Sequence, residues 1–299
     1  MNRGVWYAAG AYVLWGLLPI FWKALAHVPT LEILAHRVVW ALVVALLLVA
    51  LRGGWRWIGQ ALRNRRVVGV FVLTAILLSF NWGLYIWSVN NNHVVEASLG
   101  YFINPLVNVF LGVVFLRERL RPGQALAIVV ALAGVSFLTI TYGTPPWIAL
   151  ILAGSFGLYG LLRKTASLGS LEGFTLETMA MFVPAFVFLV FVELSTGGAF
   201  WHMGPWTTLL LVASGAATAA PLLLFAAGAR LVTMTTLGVL QYIAPTLQFL
   251  LGVFLYGEAL SPERLTGFVI VWIALVIYTI EGVISSGRAA RARRAEVVP

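Results

Sequence analysis

Long apolar runs alternate with short polar segments rich in Gly, Pro and Arg along the whole of this 299-residue chain. A bilayer core about 30 Å thick takes roughly 20 helical residues per crossing, at about 1.5 Å each. Ten stretches meet that length, at residues 4–22, 31–51, 67–89, 93–116, 122–142, 145–163, 171–193, 205–230, 233–256 and 262–284. The runs are continuous rather than short and alternating, which argues for helices and against barrel strands. Backbone groups in lipid must also find partners within their own segment. The expected fold is an all-α membrane protein with ten transmembrane helices.

A repeat organises these helices. Ile103, Pro105, Leu111, Gly112, Val113, Glu118, Leu120 and Pro122 recur 140 residues later as Ile243, Pro245, Leu251, Gly252, Val253, Glu258, Leu260 and Pro262. Upstream, AGAYVLWGLL at 9–18 resembles AGSFGLYGLL at 153–162, and TLE at 30–32 returns at 175–177. The chain therefore divides into a first five-helix repeat at 1–143, a second at 144–286 and a basic tail at 287–299. An odd number of crossings per repeat forces the second to enter the membrane upside down relative to the first. Two inverted five-helix repeats are an arrangement that rocks about a central site to give alternating access. Glu118 and Glu258 recur in short loops before a proline and are expected to be structural.

Composition agrees, with 61% hydrophobic and 10% charged residues and a mean hydropathy of +0.97. With the N-terminus inside, 16 of the 19 basic residues fall on one side of the membrane, Arg163, Lys164 and Arg230 among them, and only Lys23 and Arg264 on the other. The positive-inside rule then places both termini in the cytoplasm, and the net charge of +9 faces anionic head groups rather than nucleic acid. The first apolar run, with AAGA at 8–11, superficially resembles a signal peptide; its continuation to Trp22 and its echo at 153–156 mark it instead as a retained helix. The chain contains no Cys and no Asp, no HExxH and no GxxxxGK[ST], so an enzyme, a resident metal or direct ATP coupling is not expected and no cofactor is implied.

Polar residues inside the spans are the candidate site, because a charge at the bilayer centre costs about 2.5 to 3.5 kcal/mol on insertion scales. Arg37, roughly 9 Å inside the second span, either anchors a carboxylate or other anion, with His36 as a titratable neighbour, or pairs with Glu96 across the fourth span. Glu96, Gly100, Tyr101, Asn104 and Asn108 share an arc of about 140° around that fourth span. Pro105 within the stripe and Pro245 between Gln241 and Gln248 are expected to kink equivalent helices beside a midplane site. The alternative is that these amides only tie helices together. Asn81, Tyr85 and Ser88 share a face of the third span near Trp82, suited to an aromatic or cationic solute. Glu32 and Glu177 occupy equivalent positions and are gating or coupling candidates; for Glu177, a solvated residue near a helix start is the preferred reading. Asn90 to Asn92 and His93 read as an outer turn. Trp6, Trp55, Trp57, Trp147, Trp201 and Trp206 fit interfacial anchors.

The ten-span plan, the five-plus-five repeat and the paired proline-to-glutamate motif resemble EamA-type proteins of the drug/metabolite transporter (DMT) superfamily. AHRVVW at 35–40, NWGLYIWSVNNNHVVEASLGYFINPLVNV at 81–109 and TLET at 175–178 resemble the RarD family, whose name implies an association with chloramphenicol sensitivity. The likeness covers all but the tail. It implies a bacterial inner-membrane permease for a small organic metabolite or drug-like solute; a passive channel and a non-transporting receptor or assembly protein are the alternatives. The partners expected are the solute, the lipid bilayer and, as a hypothesis, coupled protons through His36 or Glu96. No nucleic acid is expected, and a homodimer is left open.

Overall fold

The computed structural model of the chain describes residues 3–90, 93–143, 145–257 and 262–297. The described residues contain helices and connecting turns, with no strands: α1 Arg3–Ala24, α2 Thr30–Leu51, α3 Arg56–Arg63, α4 Arg65–Asn90, α5 Val94–Leu116, α6 Pro122–Tyr142, α7 Trp147–Thr165, α8 Ser170–Thr196, α9 Pro205–Leu231, α10 Met234–Gln241, α11 Ile243–Leu250 and α12 Pro262–Val297. Ten segments among them are long and apolar enough to cross a membrane, with α10, α11 and a following π turn at Leu251–Leu255 forming one of them. Each falls on an expected span. The largest difference is at the end of α12, which runs on to Val297, 13 residues past the expected end, and α8 extends by three residues to Thr196.

Helix ends follow local chemistry. Pro122 and Pro205 occupy the first turns of α6 and α9, where no intrahelical N–H is needed. Gly197 closes α8 at φ 77°, in the left-handed region that glycine adopts without penalty. One helix was not anticipated. α3 is too short to read as a span, yet Trp57 and Ala61 on its apolar face pack on Phe71 of α4 and Leu176 of α8, while Arg56 and Arg63 stay exposed.

Packing pairs the helices in a symmetric way. Residues of α2 pack on α8 and of α6 on α12, α1 packs on α9 as α7 does on α4, and α5 packs on α7 as α10 and α11 do on α1. If α1, α2, α4, α5 and α6 are matched in order with α7, α8, α9, α10–α11 and α12, every one of these contacts maps onto another or onto itself. Small residues set the closest approaches, as in other membrane bundles. A Cβ on Gly215 of α9 would lie 2.4 Å from the Trp40 carbonyl carbon of α2, and one on Gly238 of α10 would lie 2.5 Å from the Pro105 oxygen of α5.

The two proline-bearing helices expected to kink differ in continuity. α5 continues as one helix through Pro105. Its counterpart is interrupted at Tyr242, three residues before Pro245, and then loosens into the π turn. A missing N–H removes one rung but does not by itself end a helix held by neighbours, and α5 is clasped between α7 and α10.

The motif glutamate has a mechanical explanation. Beyond α5, Arg117 takes a left-handed conformation at φ 54° and turns the chain back. Glu118 then reaches the start of α10, accepting from the Met234 and Thr235 amides at 2.6 and 3.0 Å and from the Thr235 hydroxyl at 2.8 Å. It caps a helix of the other repeat. Gly112 is required there, since a Cβ would meet the Glu118 carboxylate at 2.7 Å. The equivalent Glu258 lies outside the described residues, as do Asn91, Asn92 and the side chains of Asn90, Glu96, Arg264 and the 287–299 tail.

Candidate functional site

A cavity of about 390 Å³ lies between the two sets of helices, walled by α1, α2, α4 and α5 together with α7, α9, α10 and α11. Its lining runs from Trp22 and Thr30 at the α1–α2 connection down to Tyr12, Leu78 and Asn104, midway along their helices, and to Gln241 at the end of α10. Among the described lining residues, none belongs to the opposite helix ends, where Glu118, Lys164 and Arg230 sit. Of the sequence-derived candidates, Arg37, Asn81, Trp82, Tyr85, Tyr101, Asn104, Gln241, Pro245 and Gln248 all reach this wall.

Arg37 has neighbours that sequence did not pair with it. Its Nε donates to Thr218 Oγ1 of α9 at 3.1 Å, and its guanidinium carbon lies 4.6 Å from the ring centroids of both Trp22 and Trp82. Cation–π attraction of this kind supports a buried guanidinium without neutralising it. The pairing with Glu96 falls outside the described residues.

The amides serve two ends. Asn81 donates both of its N–H groups to α7, to the Leu152 carbonyl at 2.8 Å and the Ser155 hydroxyl at 2.9 Å. Asn104 donates to the Ala153 carbonyl at 3.4 Å, and Gln248 donates to the Trp15 carbonyl of α1 at 3.3 Å. Asn108 donates to Asn104 Oδ1 at 3.2 Å and to Gln241 Oε1 at 2.8 Å, joining α5 to α10. The helix-tying reading is thus correct for their N–H groups, while Asn81, Asn104, Gln241 and Gln248 also face the cavity. Asn108 is fully buried outside the lining.

Several candidates lie elsewhere. His36 points away from the cavity, its ring stacked on Phe200 at 5.1 Å and 4.0 Å from the buried Glu32 carboxylate, which in turn accepts from the Ala199 amide. Ser88 is buried and bonded to its own helix at Leu84. Pro105 lines a small separate apolar crevice beside α6 and α12. Glu177 corrects the preferred solvated reading, because it is fully buried and its Oε1 lies 3.6 Å from Arg163 Nε. Arg163 is corrected with it. Counted by sequence among cytoplasmic loop cations, it is 1% exposed, donates to the Ser170 carbonyl and stands over the Phe71 ring. Arg163 Nε, Arg163 Nη1 and Glu177 Oε1 have no hydrogen-bond partner among the described residues.

Between this pair and the cavity lies an aromatic floor. Phe225 of α9 packs within 5.4 to 6.2 Å, centroid to centroid, of Tyr12, Trp15, Phe156 and Tyr159. The aromatic positions of AGAYVLWGLL and AGSFGLYGLL, four residues of matched register, thus meet around one ring from a third helix. The Tyr159 hydroxyl completes the column by reaching Glu177 at 3.5 Å. Sequence inspection missed Tyr12, Trp15, Trp22 and Phe156 as wall residues, although the repeated aromatic spacing was visible in it, and it missed Thr218 as the partner of Arg37.

Comparison with known proteins places this architecture. A profile of the EamA-like transporter family matches residues 2–140. "Protein RarD" of Streptomyces exfoliatus is 49% identical over 100% of this chain and 94% of its own length. "Uncharacterized transporter YojE" of Bacillus subtilis (strain 168) is 44% identical over 93% of this chain and 94% of its own length. A protein of known crystal structure superposes with a TM-score of 0.70 at 21% identity, over 93% of this chain and 98% of that one, which establishes likeness of fold. Coverage of this extent at these identities carries both fold and family, so the chain belongs to the RarD-type, EamA-like transporters of the drug/metabolite transporter superfamily and is a multi-pass bacterial inner-membrane transporter, not an enzyme.

Proposed function

We propose that the protein is a secondary-active carrier that moves a small organic solute by alternating access between two inverted repeats, 1–143 and 144–286, with both termini in the cytoplasm. The observation that carries this reading is the shape of the cavity: both repeats contribute to its wall, it runs in from the α1–α2 end, and it stops at the aromatic floor. A channel needs a continuous path, whereas a carrier needs a site closed on one side at a time. Arg37, Asn81, Trp82, Tyr85, Tyr101, Asn104, Gln241 and Gln248 form the solute site in this reading. The floor and the Arg163–Glu177 pair beneath it form the closed inner gate.

The buried pair suits a gate energetically. Its orphaned atoms leave the closed state under-satisfied, and water admitted on opening would hydrate them. Glu32 has the corresponding place at the other end, where it holds the α8–α9 connection through Ala199. Proton coupling belongs to the reading as a hypothesis, motivated by the buried Glu32 and His36 side chains 4.0 Å apart.

Proteoliposomes loaded with labelled aromatic acids, amino acids or chloramphenicol test it. Saturable uptake with counterflow is expected, lowered about 10- to 150-fold by Arg37→Ala, the range for losing a charge-assisted hydrogen bond of about 1.5–3 kcal/mol. Asn104→Ala should also lower it. Flux without saturation or counterflow would instead identify a channel, and binding without flux a receptor. Transport indifferent to a collapsed pH gradient would remove proton coupling and leave the carrier.

A further inference from the structure

The chemistry of the wall narrows the solute further, and the argument rests on the reading of this cavity as the transport site. Among the described lining residues Arg37 is the only one with a formal charge. Its Nε is committed to Thr218, and Trp22 and Trp82, each 4.6 Å away, present neutral rings. Thr218 and the two rings thus stabilise the cation without cancelling it, and among the described lining residues no carboxylate stands beside the guanidinium. Such a charge in a partly dehydrated cavity attracts an anion far more strongly than in water. The fork of a guanidinium matches the two oxygens of a carboxylate, which a point charge does not. Much of the remaining wall is flat and aromatic: Trp15, Trp22, Trp82, Tyr85 and Phe156 offer ring faces and edges, beside the amides of Asn81, Asn104, Gln241 and Gln248. At about 390 Å³ the cavity is at the lower end of the roughly 300–1,000 Å³ range of small-molecule sites, room for one compact body.

We propose that the solute is a compact aromatic carboxylate, with its carboxylate on the Nη edge of Arg37 and its ring against the tryptophan wall. Thr218 is the positioning residue that holds the guanidinium fork in the plane the carboxylate needs. A neutral drug-like molecule uses only half of this site.

Matched ligands of one shape decide the matter: 3-phenylpropionate, 3-phenylpropionamide and 3-phenylpropylamine, with chloramphenicol as a neutral reference, titrated into the purified full-length protein by calorimetry and thermal unfolding. The carboxylate should bind at least about tenfold more tightly than the amide, as expected for a charge-assisted hydrogen bond, and should raise Tm with concentration. Arg37→Gln should abolish the difference, and Arg37→Lys should restore only part of it. Thr218→Val should narrow it several-fold while amide affinity stays unchanged, which a merely structural role would not produce. Amide, amine or chloramphenicol binding as tightly as the carboxylate would overturn the proposal. So would failure of the carboxylate to bind, or a preference that survives Arg37→Gln. The ligand comparison uses the unmutated protein and stands even if a variant fails to fold. Carboxylate-selective binding without flux would overturn the carrier reading alone, and saturable flux without carboxylate preference would overturn this inference alone.

Discussion

Arg163 and Glu177 show how little of a residue's energetics its place in the sequence reveals. Both sit near span ends, where solvent and lipid head groups are the ordinary surroundings, yet both are 1% exposed or less and depend on each other. Removing one partner of a buried pair strands the other charge and costs about 3–5 kcal/mol, whereas replacing both by apolar groups of similar volume is often neutral. Arg163→Met and Glu177→Leu are each expected to destabilise the folded protein by that amount in detergent unfolding, and the double variant to recover most of the loss. If the double variant falls by the sum of the singles, the pair is not the unit that matters. Arg37 teaches the complementary lesson: its depth was legible from hydropathy, but its partners Thr218, Trp22 and Trp82 come from α9, α1 and α4, and no pattern along α2 names them.

Apart from the extension of α12 to Val297, the spanning helices were legible nearly to their ends, because roughly 20 consecutive apolar residues leave a chain in lipid no other way to satisfy its backbone. Discontinuities were less so. The interruption at Tyr242 and the π turn after α11 have no strong local signal, while Pro105 signals a break that α5 does not make. Helix approach depends on small residues facing the right neighbour, and of the many glycines only some do. Gly238 meets the Pro105 oxygen, whereas Gly59 of α3 has nothing within 4 Å. Gly238→Ala should therefore lower the unfolding temperature by several degrees through displacement of α10 from α5, and Gly59→Ala should leave it unchanged or raise it slightly, since alanine is the better helix former. Equal responses at the two positions would show that close packing of α10 on α5 is not limiting.

The whole molecule combines a repeated frame with unequal contents. The Glu32 and Glu177 positions match in sequence, yet Glu32 meets a backbone amide and His36 while Glu177 meets an arginine. Equivalent aromatic positions from α1 and α7 converge on Phe225 below the cavity. A cysteine-free chain makes the resulting one-sided access measurable. With a single cysteine at Tyr85, a membrane-impermeant maleimide applied from the outer side should react readily. At Thr74, buried beneath the floor near the Glu177 pair, the thiol should stay protected until solute cycling opens the inner side. Equal reactivity at both positions in resting protein would contradict a floor that closes the cavity.

The sequence by itself determined the number, position and helical nature of the crossings, the duplication and the presence of buried polar groups, because hydropathy and repeat spacing act along the chain and need no partner. Only the tertiary structure decided which of those groups share a cavity, which are spent on tying helices and which neutralise one another. Those outcomes depend on side chains far apart along the chain coming together, as Arg37 and Thr218, 181 positions apart, do at 3.1 Å. Helical periodicity gives a residue its face but not the neighbour that covers it.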